Sequence, residues 1–311
     1  MYTSTLLATL ALAYPSFAHV PSSQRSTTDL IQEPDSSFTS GFAQYVSKDE
    51  ALSSGLAKYT DNKVRIGVDS NNTYSLSSTG RKSVRLHSKN TFDNGLLIAD
   101  FAHLPVAGCG MWPAFWVYTG EGSTVSEYSE IDIVENVNQA TANSHSFYTG
   151  QQCTVNINRG DSVRTDNCHY ELGMENAGCS FMAEEGTFGN AFNQNGYQVV
   201  ALQVEADGIK IWHFKNGEVP SDLNSANPNP NTWANPTVSI SPKSCDFNKA
   251  FSRFHVIINI TFCGGWAGGE DWNGQCAAQT GQSSCNAWVA GNPDNFDDTY
   301  WDINSVKLFQ K

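Results

Sequence analysis

Apolar and polar positions alternate along the chain from Phe38 onward, and no long helical period interrupts them. Val64-Arg65-Ile66-Gly67-Val68 alternates, Asn71-Asn72 marks a turn, and Ser83-Val84-Arg85-Leu86-His87 alternates again. A strand sends successive side chains to opposite faces. Val84 and Leu86 are therefore expected inside, with Arg85 and His87 on the other face. Residues 96–101 read as an apolar strand. In Met111-Trp112-Pro113-Ala114-Phe115-Trp116-Val117, Trp112, Ala114 and Trp116 share one face, while Met111, Phe115 and Val117 share the other. Residues 196–205 and 208–214 flank an Asp207-Gly208 step, a strong hairpin signal. Residues 253–262 place Phe254, Val256, Ile258, Ile260 and Phe262 together, and Trp212 and Trp301 read as core. The predicted fold class is all-β, and a large sandwich accommodates the length as one domain.

One strand departs from that pattern. In Glu130-Ile131-Asp132-Ile133-Val134-Glu135, Glu130 and Asp132 share a face opposite Ile131 and Ile133, but simple alternation turns Glu135 the wrong way. A β-bulge absorbing one extra residue brings all three acids to one side. Mutual repulsion there serves no structural purpose, so the arrangement suggests chemistry. Two carboxylates beside a glycosidic bond divide the labour of nucleophile and acid. A third between them helps set their pKa values, keeping Glu135 protonated while Glu130 stays ionised. On a straight strand the outer two would lie roughly 13 Å apart at Cα, against about 5 Å between carboxyls in a retaining glycosidase. A curved strand is therefore required. An acidic strand edge and a calcium site are the competing readings.

Composition narrows the setting. The net charge of −13, from 31 acidic and 18 basic residues without a basic cluster, argues against nucleic acid or an anionic membrane surface as partner. A neutral polymer remains compatible. Residues 1–18, with an apolar run over 6–13 and small residues at Ser16 and Ala18, look like a signal peptide. Residues 19–36 read as a loose leader and 37–311 as one domain. Eight cysteines in a secreted chain predict up to four disulfides and leave their pairing open. No metal site is expected, since the cysteines are too far apart for zinc spacing. Asn71-Asn72-Thr73 and Asn259-Ile260-Thr261 are glycosylation sequons, and the first, in a turn-rich setting, is the better acceptor. The expected product is a freely secreted, extracellular monomer.

Trp112-Pro113-Ala114-Phe115-Trp116 followed by Ser129-Glu130-Ile131-Asp132-Ile133-Val134-Glu135 resembles glycoside hydrolase family 16, in particular its fungal laminarinase-like endo-β-1,3(4)-glucanases. Gly80-Arg81-Lys82-Ser83-Val84-Arg85, Asn227-Pro228-Asn229-Pro230-Asn231-Thr232-Trp233, Thr261-Phe262-Cys263-Gly264-Gly265-Trp266-Ala267-Gly268 and Tyr300-Trp301-Asp302-Ile303-Asn304-Ser305-Val306 extend the likeness over the chain after the leader. The resemblance implies a concanavalin-like β-jelly-roll sandwich with a concave substrate cleft. It also implies a retaining double displacement without cofactor, with Glu130 as nucleophile, Glu135 as acid and then base, and Asp132 as assistant. Arg85, Trp112, Trp116 and Trp266 match positions that line sugar subsites in such enzymes. Two departures bear on linkage preference. Gln203-Val204 stands where relatives often carry Glu-Trp, and Tyr148 stands where they carry His, with His145 nearby as a candidate substitute. The acidic, aromatic run of residues 268–274 reads as a surface loop or an altered cleft rim.

Gly160-Asp161-Ser162 has the look of a serine-esterase block but sits mid-chain with no convincing His partner after it and reads as a turn. No phosphate-cradling loop, paired-His helix or dinucleotide fingerprint occurs. The expected partner is a β-glucan. The expected activity is endo-hydrolysis of β-1,3 or mixed β-1,3-1,4 linkages. A non-catalytic glucan-binding protein, a transglycosylase and a β-galactan hydrolase are the alternatives.

Overall fold

The computed structural model describes residues 41–120, 123–159, 163–171 and 178–310. The segments expected to form a signal peptide and a leader, and the Gly160-Asp161-Ser162 segment expected to turn, lie outside these. Seventeen strands supply most of the regular secondary structure among the described residues. In order they are β1 (Ala43–Tyr45), β2 (Ala57–Thr60), β3 (Lys63–Gly67), β4 (Arg81–Ser83), β5 (Arg85–His87), β6 (Gly95–His103), β7 (Met111–Tyr118), β8 (Ser129–Glu135) and β9 (Ala142–Thr149). There follow β10 (Val155–Arg159), β11 (Val163–Thr165), β12 (Cys179–Glu185), β13 (Tyr197–Glu205), β14 (Gly208–Lys215), β15 (Val238–Pro242), β16 (His255–Phe262) and β17 (Tyr300–Phe309).

Two large antiparallel sheets face each other in a β-jelly-roll sandwich. One runs β10-β15-β14-β13-β6-β17-β3-β2 and the other β11-β12-β9-β8-β7-β16-β5. Between them lies the core to which alternate residues of both sheets contribute: Leu97, Val200, Leu202 and Ile211 from one, Phe115, Ile131, Phe147 and Ile258 from the other. Val84, Leu86 and the five alternating residues of 253–262 point into it as the pattern requires.

The eight-stranded sheet is covered on its outer face too. Leu96, Ile98, Val199, Ala201, Trp212 and Phe214 pack there beneath Val219, Leu223 and Trp233. Where the sheet is buried on both faces it has no polar side to alternate with, which is why residues 96–99 read as a continuous apolar run that breaks only at Asp100. Gln203 and Val204 belong to this sheet, Val204 in the core and Gln203 opposite Lys210 and Leu96. Neither lines the cleft, so the pair bears on packing and not on the subsite walls.

All eight cysteines are paired: Cys109–Cys276, Cys153–Cys245, Cys168–Cys179 and Cys263–Cys285. Two of these bind the segment that carries Trp266 to the ends of β7 and β16. The approach there is close. Gly110, just before β7, has φ +87°, and a Cβ on it would lie 2.5 Å from Val289 Cγ2 and 3.2 Å from Cys285 Sγ. Only glycine suits that backbone and that space. The run 268–274 is no plain loop. Trp272 is buried at 1% exposure, donates from Nε1 to the Gln282 carbonyl at 3.1 Å, and begins a helical turn that continues through Thr280. Its aromatic face serves the core, leaving Glu270 and Asp271 at the surface. Of the two sequons, Asn71 is exposed whereas Asn259 is buried within β16.

Candidate active site

β8 lies between β7 and β9, and its register against β7 breaks where the acids require it to. Glu130 pairs with Tyr118, Asp132 with Trp116, Val134 with Phe115 and Glu135 with Ala114. Ile133 has no partner across β7, so Ile133 and Val134 both turn into the core. The bulge thereby brings Glu135 to the same side as Glu130 and Asp132. All three line a single cleft of about 290 Å³, with Arg85, Trp112, Trp116, Tyr118, Tyr128, Asn259 and Thr261 among its walls.

Each outer carboxylate is held by an aromatic donor. Trp112 donates from Nε1 to Glu135 Oε1 at 2.6 Å, and the Tyr128 hydroxyl donates to Glu130 Oε2. Arg85 is buried, donates from Nη2 to the Tyr118 hydroxyl at 3.2 Å, and sits 5.1 Å from the centre of the Trp116 ring. Trp116 Nε1 donates to Asn259 Oδ1 at 2.7 Å, and Asn259 Nδ2 to the Tyr45 hydroxyl at 3.0 Å. Both tryptophans thus have their N–H groups satisfied and their rings against the cleft.

Burial pushes all three acids upward. Glu130 rises to about 7, restrained by the Tyr128 hydrogen bond and by the positive charge of Arg85. Glu135 rises to about 8, restrained by Trp112 and raised further by Glu130. Asp132, flanked by both, is held well above the carboxylate range by burial and then by Glu135 and Glu130. The causes differ as a nucleophile and an acid need: Tyr128 and Arg85 favour the charged form of Glu130, whereas the charge of Glu130 opposes ionisation of Glu135.

Stability must register this. A Glu in the unfolded chain titrates near 4.5, so between that pH and about 8 the folded state holds a Glu135 proton that the unfolded state has released. The folded form then binds more protons, and its stability falls as pH rises through the window. Glu135→Gln removes this titration. Its melting temperature should exceed that of the native chain by a margin that grows from about pH 4.5 to about pH 8 and then levels. Melting curves across pH that keep a constant offset would refute the raised carboxyl.

The remaining residues singled out in the sequence divide. Trp266 stands edge-on to Trp112 with ring centres 5.6 Å apart, and Tyr148 pairs with Glu130 across β8 and β9. His145 does not reach the cleft. Strand parity puts it on the interior face of β9, fully buried, its ring 5.2 Å from that of His213 on the opposite sheet. Burial, and then His213, holds its pKa well below the usual imidazole value. Tyr128, Asn259 and Thr261 were not singled out, although parity offers the signal. Tyr128 lies two residues before Glu130 on the same face, and Asn259 and Thr261 alternate with the inward Ile258 and Ile260.

Comparison with known proteins gives concordant results. Residues 29–309 match the family described as "XgeA-like, catalytic GH16 domain". An endo-1,3(4)-beta-glucanase of Arthroderma benhamiae is 36% identical over 280 residues, which cover 88% of this chain and 60% of that protein. Among solved structures, GH16 Laminarinase 16A from Phanerochaete chrysosporium, seen with 6-O-glucosyl-laminaritriose in donor and acceptor sites, superposes with a TM-score of 0.79 at 33% identity. The match covers 90% of this chain and 94% of that one. An elongating GH family 16 beta-1,3-glucosyltransferase gives a TM-score of 0.80 at 35% identity, covering 89% and 93%. The chain spans 64% of one curated fungal relative and 50% of another.

Proposed function

The chain belongs to glycoside hydrolase family 16, and from that premise we propose that it is an endo-acting, retaining glycosidase of β-1,3- or mixed β-1,3-1,4-glucans. The observation that carries the reading is the bulged strand β8, which turns Glu130, Asp132 and Glu135 into one cleft with a separate hydrogen-bond donor for each outer acid. The names of its relatives, endo-1,3(4)-beta-glucanase and laminarinase, support the substrate class.

In this reading the Glu130 carboxylate attacks the anomeric carbon while Glu135 gives its proton to the departing glycosidic oxygen. The glycosyl group is then esterified to Glu130 and Glu135 is ionised. Glu135 next takes a proton from an incoming hydroxyl, whose oxygen displaces Glu130 and restores both carboxyls. Asp132, kept neutral, donates toward the ionised neighbour and limits the repulsion between the pair. Arg85, Trp112, Trp116, Trp266 and Tyr148 offer the sugar an apolar and hydrogen-bonding wall. If the incoming hydroxyl belongs to water the reaction is hydrolysis, and if to another sugar it is transfer. The likeness to a glucosyltransferase makes transfer the specific second reading. Four disulfides favour an extracellular site of action.

The test is reducing-end release, with product masses, from laminarin, mixed-linkage barley glucan and a β-1,3-galactan. Short oligosaccharides from either glucan are expected, in a ratio that gives the linkage preference. Products longer than an oligosaccharide donor would show transfer. Cleavage of galactan alone would move the substrate, and glucan binding without turnover would leave a lectin-like protein.

A further inference from the structure

The bulge that aims Glu135 breaks the hydrogen-bond ladder on the other edge of β8 as well. Pairing with β9 runs from Ser129 opposite Thr149 to Asp132 opposite Ser146 and then stops. Beyond it the Ile133 carbonyl and the Glu135 N–H, on either side of Val134, have no ladder partner in β9. Buried backbone groups of this kind need partners.

One side chain serves both, while the His145 and His213 rings also face the Ile133 backbone. Asn143 Oδ1 accepts from the Glu135 N–H at 2.8 Å, and Asn143 Nδ2 donates to the Ile133 carbonyl at 2.8 Å. The orientation of the amide is forced, because one neighbour can only donate and the other only accept. The main chain of Asn143 is turned elsewhere, its N–H donating to Thr187 Oγ1 at 2.9 Å. Behind the amide stands His145, whose two ring nitrogens lie 3.2 and 3.3 Å from Asn143 Nδ2. His213 backs His145 from the facing sheet. Asn143 and His145 are both fully buried, so no water competes for these bonds.

We infer that Asn143 is a positioning residue for the acid–base carboxyl, its side-chain amide replacing two lost ladder bonds and so fixing which residue of β8 occupies the bulge. Because a one-residue slip in a strand exchanges its faces, this clamp decides whether Glu135 stays directed at the cleft. The inference rests on the proposed glycosidase reading. It assigns no contact between Asn143 and the sugar.

The experiment compares Asn143→Leu, which keeps the volume and removes both bonds, with Asn143→Asp, whose neutral acid form retains an acceptor and a donor. Two readouts are needed. The first is kcat/KM on a laminarin oligosaccharide, whose leaving group needs Glu135's proton, against a dinitrophenyl β-glucoside of the same chain length, whose leaving group does not. Asn143→Leu should lose about 10²-fold on the oligosaccharide, the scale of a small misplacement of a catalytic group, with KM nearly unchanged and a much smaller loss on the aryl substrate. Asn143→Asp should recover part of the difference. The second readout, independent of activity, is hydrogen exchange of the Glu135 amide by NMR, which should quicken in Asn143→Leu. Equal losses on both substrates, or an unchanged Glu135 amide, overturn the clamp. If Asn143→Leu fails to fold, amide exchange and the substrate split in Asn143→Asp decide in its place. A native chain that cleaves neither substrate would instead remove the glycosidase reading, and the exchange measurement would still judge the clamp.

Discussion

Replacing Glu130 by Gln is expected to lower glucan turnover by about 10⁴-fold or more, the scale on which removal of a nucleophile acts, while glucan binding persists. Gln keeps the shape and leaves an oxygen to accept from Tyr128, so the cleft stays in place, but a neutral amide cannot form the glycosyl ester. Calorimetric titration with a laminarin oligosaccharide, set beside rates from the same preparation, separates binding from turnover. A sharper check uses Glu130→Ala with azide. An azide ion entering the space left by the carboxylate attacks the face that Glu130 would have attacked and yields the α-glycosyl azide. Recovery of the β-azide would exchange the assignments of Glu130 and Glu135.

The second large effect concerns Glu135. Glu135→Gln is expected to cost roughly 10²- to 10⁴-fold on glucan, the usual contribution of a positioned proton donor. On a dinitrophenyl glycoside the first step needs no acid, so Glu130 should still be glycosylated. The second step lacks its base and slows. The covalent intermediate then accumulates, and intact-mass measurement should show the protein heavier by one glycosyl unit after a burst of dinitrophenolate. Absence of both burst and adduct, with equal losses on the two substrates, would deny Glu135 its role. The raised pKa of this residue, produced first by burial and held back by Trp112, is what keeps its proton available near neutral pH.

Much of this was legible in the chain. Wherever a strand has one wet and one dry face, alternation placed its side chains correctly, as for Arg85 against Val84 and Leu86, or Trp112 and Trp116 against Phe115. The bulge was legible because three acids could not otherwise share a side. Errors arose where parity was not followed through. His145 was read beside Tyr148 as a cleft residue, although residues three apart in a strand face opposite ways. Trp272 sits in an acidic run, yet packs into the core. The pairing of eight cysteines depends on which loops meet in space, and the place of Gln203 depends on which sheet its strand joins. Sequence distance carries neither. Asn143 was invisible for a related reason, since its value comes from two backbone groups left without partners on another strand.

The burial of Asn259 bears on how the protein is made. By sequence it is an acceptor for oligosaccharide, and by structure it ties Trp116 to Tyr45 inside the sheet. A glycan there would fill the cleft it helps to wall. Both strands that flank β16 in its sheet, β5 and β7, precede it in the chain and have left the ribosome before it. If the chain enters a glycosylating secretory pathway, the nascent acceptor emerges beside a prepared gap, and ladder closure competes with the transferase from the moment Asn259 appears. In a host that glycosylates quickly and folds this chain slowly, the yield of active protein would be set by that race and not by the stability of the finished sandwich.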